Sequence, residues 1–447
     1  MSVNSTFRGG EPDWANACVG QNGMPDYFDY AQGYSSAANL LIKSVLEDEG
    51  FEYSVDKFVY PICFNMRHSI ELRLKGVVGY LEKISAFRVP LGAFDLKSSH
   101  DLGRIWCYIK RESQKLDKRF SLFIAILDDR ILDVANIDST GQTFRYPVDN
   151  DQSKHLVDVS SINIKILSDR FVSLECMLDN FEAFCDELVR EYKVGTHTKE
   201  LSRADLLSIG EKVPARSNWV LQEFKDFKQS IVEKYKLSNR GFAGAINIIE
   251  ARYGIAPKLM SPPLKYVDIE VLKLFLGAWC EKNDVVNSRL NRRLVIESWG
   301  GGNADELLDS IRHHTKMERL IWPRLEGCIS VDALIGLKSL CDSHGVNYSE
   351  EYISHVEYNE RDLRQGLQEG SIEHQRAVMK LIGRPMAGDY ILKSIFLLGH
   401  VEIAENLIKC LGLEGSLVWL PKARTRELFV EPYVGIYKKM LESCCLP

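Results

Sequence analysis

The chain has 447 residues, of which 45% are hydrophobic and 26% charged, with a formal net charge of −6. That length exceeds one ordinary core and implies two or three domains, and the composition is that of a soluble globular protein. The near balance of 56 Lys+Arg against 62 Asp+Glu excludes a surface coated in positive charge for tight nucleic-acid binding, while leaving room for a single basic groove.

Eleven cysteines are scattered without a CxxC pair. The opening residues lack a basic segment followed by an apolar core, and no apolar run approaches the roughly 18–20 residues that span a bilayer. The expectation is a cytoplasmic chain with reduced thiols, no disulfide framework, no structural metal, no cofactor and no membrane association.

Residues 1–33 are rich in Gly, Asn, Asp and Pro and read as an irregular arm. "YSSAANLLIKSVLEDEG" then has helical spacing, with Ser35 or Ser36 as N-cap and Gly50 as its stop. Asp56 opens a second helix running to about Phe87, with Pro61 in its first turns. "SSHDLGRIWCYIKRESQKL" predicts a third, capped by Ser98 or Ser99, with Ile105, Trp106, Ile109 and Leu116 facing inward. "SLFIAILDDRILDVANID" continues as helix with a break near Asp128 and Asp129. "STGQTFRYPVDND" reads as turn and extended chain: Gly141 turns, Thr143 and Phe144 are strand-like, and Pro147 ends it. One long amphipathic helix follows and closes at Gly195. Residues 34–195 are therefore expected to form a helical bundle with one β-like excursion. From residue 200 to 447 the patterns are shorter and suggest a helical array, a partner-binding or sensor region with a break near 257–263 ("PKLMSPP"). The fold class is all-α.

The polar residues within "YPICFNMRHSIELRLK" (60–75) are the notable chemistry. On a helix Arg67, Glu71 and Lys75 share a stripe at i, i+4, i+8, and His68 borders it. An exposed i, i+4 pair is worth only about 0.2–0.5 kcal/mol, too little to explain four ionisable groups in so apolar a run. Two readings follow. The residues form a buried network fixing helix register, or Arg67 and Lys75 bind phosphate while His68 moves protons. His100, ahead of the third helix, is a candidate second histidine. A second basic cluster, "SIRHHTKMERLIWPR", offers Arg312, Lys316 and Arg319 to a nucleic-acid backbone, with Trp322 available to stack; its bland alternative is a solvated helix face. "WGGGNADELL" reads as a turn with Asn303 as N-cap.

"YPICFNMRHSIELRLKG", "SSHDLGRIW" and "TFRYPVD", in that order, resemble a group of bacterial HEPN-like (higher eukaryotes and prokaryotes nucleotide-binding) proteins over roughly residues 35–195. The resemblance implies a compact helical bundle, a homodimer, and in many members metal-independent cleavage of RNA in anti-phage defence or toxin–antitoxin systems. If the chain carries such chemistry, the residues expected to do it are Arg67, His68, Glu71 and His100, with Arg67 and Lys75 holding phosphate. The family's nuclease motif, Arg followed by four to six residues and His, is matched only by Arg190–His197, at a helix end rather than its start. The alternative is a non-catalytic scaffold or sensor whose second half recruits a protein or nucleic-acid partner.

Overall fold

The computed structural model describes residues 4–148, 152–283, 285 and 318–444. All regular structure among them is helical, and the sole β-type pairing is an isolated antiparallel bridge between Val148 and Lys154. No helix among the described residues is long and apolar enough to cross a membrane, and the described cysteines are free thiols. The chain divides into two compact units, Met1–Arg190 with Tyr433–Pro447, and Glu191–Pro432. Residues from Tyr433 onward, expected with the second region, thus belong to the first unit.

In the first unit α1 (Tyr27–Glu47) begins earlier than the sequence suggested. Its cap is Asp26, which accepts from the Phe28 and Asp29 amides while Asp29 returns the bond to the Asp26 amide. This capping box satisfies amides of the first turn and lets the helix start about two turns ahead of Ser35, which lies inside it. Ala31, Ser35, Ala38, Ile42 and Val45 are buried, a spacing that keeps one face against α2 (Val55–Ser85). In α2 the residues Ile62, Met66, Ile70, Leu74, Val77, Leu81 and Ile84 form the inner stripe. The two helices approach closely where Phe28 lies on Gly76: a Cβ at Gly76 would sit 2.5 Å from two Phe28 ring carbons.

Asp101, rather than a serine, caps α3 (Leu102–Leu116) by accepting from the Arg104 amide. α4 (Phe120–Ile137) runs through Asp128 and Asp129 without the expected break. The reason is that Asp128 is bound from α3: it accepts from the Trp106 indole at 2.7 Å and the Lys110 ammonium at 2.6 Å. The stretch after α4 is a set of turns, not a strand. Asp138 Oδ1 accepts the amides of Gly141, Gln142 and Thr143, an anion nest that curls the backbone before it can extend. α5 (Ile164–Lys193) follows, and Gly195 beyond it has φ +81°, as a helix C-terminal glycine should. Phe120, Phe123, Phe181 and Phe184 form an aromatic cluster, with Tyr437 of the last helix (Pro432–Ser443) against Phe123 and Phe184.

Among its described residues the second unit holds two apolar cores. One is built by α6 (Arg203–Gly210), α7 (Gln222–Tyr235) and α8 (Asn239–Ala251). The larger one gathers α9 (Ile269–Lys282) with helices Val331–Asp342, Ala387–Leu397 and Val401–Cys410 around Trp279, Phe275 and Phe396. The stretch 257–263 carries no helix and lies between α8 and α9.

Candidate functional site

The polar insert of α2 is buried: Arg67 and Glu71 are each 2% exposed and Lys75 6%. Arg67 is held from every side. Its Nη1 pairs with Glu71, its Nη2 donates to the carbonyls of His100 and, at 2.7 Å, Ser139, and its Nε donates to the Asp138 carbonyl at 3.2 Å. One guanidinium thereby joins α2, the entry to α3 and the turn after α4. Gly141, with φ +79°, lies flat on it; a Cβ there would come within 3.2 Å of the Arg67 Cζ and Nη1. Lys75 Nζ meets Glu71 Oε1 at 2.8 Å. Arg67 and Lys75, expected as phosphate ligands, therefore have their charges answered by Glu71 and by backbone carbonyls, and neither presents a free donor fork to an anion. Arg67, Glu71 and Lys75 form a closed ion-pair and hydrogen-bond network.

The two histidines are placed differently. His100 has a side chain 61% exposed, and its Nδ1 is 2.9 Å from Glu71 Oε1. His68 is half-buried, with Nδ1 3.9 Å from Glu71 Oε2, an electrostatic contact beyond hydrogen-bond length. Its ring lies between Tyr34, edge-on at 4.5 Å, and Phe64, stacked at 5.7 Å. Both imidazoles thus address one carboxylate from opposite oxygens. Burial alone would raise the Glu71 pKa. The His68 and Lys75 side chains, the Arg67 charge and the His100 ring outweigh it and hold the carboxyl well below the usual range. Glu71 is an ionised, immobile acceptor that fixes the His100 ring and leaves its Nε2 facing solvent.

Around this pair lie residues that the sequence singled out only as family markers or not at all. The Arg145 guanidinium, on an exposed residue, lies 5.6 Å from the Phe64 ring and 5.3 Å from Tyr146. Beside His68 a groove of about 590 Å³ is lined by Pro25, Asp26, Tyr27, Tyr30, Tyr34, His68 and Leu72. Tyr27 and Tyr30, 42% and 55% exposed, present open ring faces. The spacing of Tyr27, Tyr30 and Tyr34 at i, i+3, i+7 was the available signal, hidden because that stretch reads as arm until the Asp26 cap is recognised. Cys63 in the same helix is no nucleophile: burial and the Asp138 charge push its thiol up to about 12.

The other predicted positions do not join this edge. Arg312, Lys316, His313, His314 and Asn303 lie outside the described residues. Arg319 is exposed, but Trp322, expected as a stacking platform, is 9% exposed and packs in the larger core of the second unit, edge-on to His374. Arg190 pairs with Asp186 at 2.5 Å, and the His197 ring lies 5.2 Å from Tyr192.

Comparison with protein-family profiles, with curated proteins and with solved structures finds no match in any of the three.

Proposed function

We propose that the chain is a HEPN-like helical effector whose first unit cleaves RNA without a metal, at the edge formed by His68, His100 and Arg145. The observation that carries this reading is the pair of accessible imidazoles on one buried, ionised carboxylate at the rim of a tyrosine-lined groove. Metal-independent cleavage needs no protein nucleophile, because the RNA 2′-hydroxyl attacks its own phosphate. His100, with Nδ1 held by Glu71, takes the 2′-hydroxyl proton at Nε2. The 2′-oxygen–phosphorus bond forms, the bond to the 5′-oxygen breaks, and protonated His68 donates to that oxygen. Arg145 takes the charge-stabilising part that Arg67 cannot fill, and the Phe64 ring beneath it supports the guanidinium. Bases of a single strand stack on Tyr27, Tyr30 and Tyr34, which tolerate any sequence because every base has a π-face. Products are a 2′,3′-cyclic phosphate and a 5′-hydroxyl.

One observation favours a second reading, a non-catalytic scaffold: Arg67, Glu71 and Lys75 form a closed network whose job is complete without a substrate. One assay separates the two. Purified protein is incubated with total RNA and tRNAs in EDTA beside His68→Ala, His100→Ala and Arg145→Gln. The catalytic reading expects cleavage lost at least hundredfold in His100→Ala and Arg145→Gln with melting temperatures close to the parent. Cleavage that survives all three substitutions sinks this site, and absence of cleavage under every condition supports the scaffold.

A further inference from the structure

The second unit contains a cavity of about 240 Å³. Arg203, 3% exposed, closes one side. Its charge is answered by Glu350, Nη2 to Oε2 at 3.1 Å, and by Glu431, Nη1 to Oε2 at 2.5 Å, while Thr196 donates to Glu350 at 2.6 Å. This side is a closed network in which two carboxylates answer one guanidinium. Arg426 stands on the same wall and is treated differently. It is half-buried and, among the described residues, no carboxylate lies within ion-pair distance of it; its Cζ lies 5.7 Å from the Phe429 ring. Burial pushes its pKa down, and Glu431 and Glu211 oppose that only through space.

Arg426 also has a left-handed backbone, φ +61°. It follows Thr425, the C-cap of the short helix Leu420–Arg424, a place where helices commonly end in that conformation, so the helix end fixes where the Arg426 side chain departs. His344, whose Nδ1 is 2.9 Å from the Cys341 carbonyl and whose ring stacks on Tyr390 at 3.4 Å, presents a fixed imidazole to the cavity. Leu207, Ile255, Leu397 and Phe429 supply apolar contacts to a wall that also carries Asn347 and Ser349.

Charge and size narrow the ligand. Arg203 with Glu350 and Glu431 carries one negative charge in excess and Arg426 one positive, so a monocarboxylate on Arg426 adds a single charge to the wall, whereas a dianion adds two beside the Glu431 carboxylate. The volume lies below the roughly 300–1,000 Å³ of drug-sized sites. We propose that this cavity binds a small monocarboxylate of about amino-acid size, its carboxylate on the Arg426 fork and its apolar part against Leu207, Ile255 and Phe429. The proposal stands independently of RNA cleavage by the first unit.

The test uses the full chain in thermal-shift and calorimetric titrations with three probe sets: free amino acids, short carboxylic acids lacking an amine, and inorganic phosphate with nucleoside monophosphates. The expected result is saturable binding by a member of one of the first two sets. Arg426→Asn, which suits the left-handed backbone, should weaken it at least tenfold while the unliganded melting temperature stays within a few degrees of the parent. Arg426→Lys, retaining charge without the fork, should fall between. Binding by the amino acids alone assigns the Glu431 carboxylate to the ligand's ammonium. Saturable binding by none of the sets, binding by phosphates alone, or binding unchanged in Arg426→Asn overturns the proposal.

Discussion

Glu71 meets two buried cations and two imidazoles, so its removal leaves Arg67 and Lys75 as uncompensated charges in a dry interior. Glu71→Gln is expected to destabilise by about 3–5 kcal/mol, read as a lowered urea midpoint. The pH dependence has a definite sign. The folded-state pKa of Glu71 is depressed, so its contribution is complete above the unfolded carboxylate value of about 4.3 and is lost as pH falls below it toward the folded value. The parent should lose stability through that acid window more steeply than Glu71→Gln. Glu182 on α5 behaves oppositely: burial, with Asp179, Asp26 and Asp186 outweighing Arg73, lifts it to about 7. Its contribution is full below about 4.3 and disappears as pH rises through about 7. Glu182→Gln should therefore raise the melting temperature at pH 8 and leave it nearly unchanged at pH 4.

At the scale of elements, two glycines let backbone and side chain meet. Gly76→Ala drives a methyl into the Phe28 ring and should cost about 1–3 kcal/mol, partly recovered when Phe28→Leu is added, a coupling that a double-mutant cycle measures. Gly79, on the same helix with nothing within 4 Å of a Cβ, is the control. Gly79→Ala should stabilise by about 0.5–1 kcal/mol through helix propensity alone. Periodicity made α2 and α5 legible because their apolar stripes run through many turns. The start of α1 was hidden because its signal is a reciprocal bond between Asp26 and Asp29, short-range polar chemistry that resembles loop composition. α4 was expected to break at Asp128 and does not, since the partners that make that carboxylate tolerable come from α3.

Across the whole molecule, the last helix completes the first unit's core. Tyr437 donates to the Arg119 carbonyl at 2.6 Å, Arg119 lies over Tyr433 at 4.7 Å, Met440 is fully buried, and Asn180 donates to Ser443 at 3.0 Å. A chain ending at Glu431 should melt earlier and expose α4 and α5 to limited proteolysis, because the Phe123 and Phe184 rings lose their cover. The sequence by itself determined the all-α class, the long helices and the identity of the polar insert in α2, since periodicity and composition are local properties of the chain. Only the tertiary structure decided that Arg67 and Lys75 serve the interior while His100 and Arg145 face outward. Those roles depend on carbonyls and rings supplied from residues far along the chain, Ser139 and Phe64 among them, and no spacing within a single helix encodes which distant partner arrives.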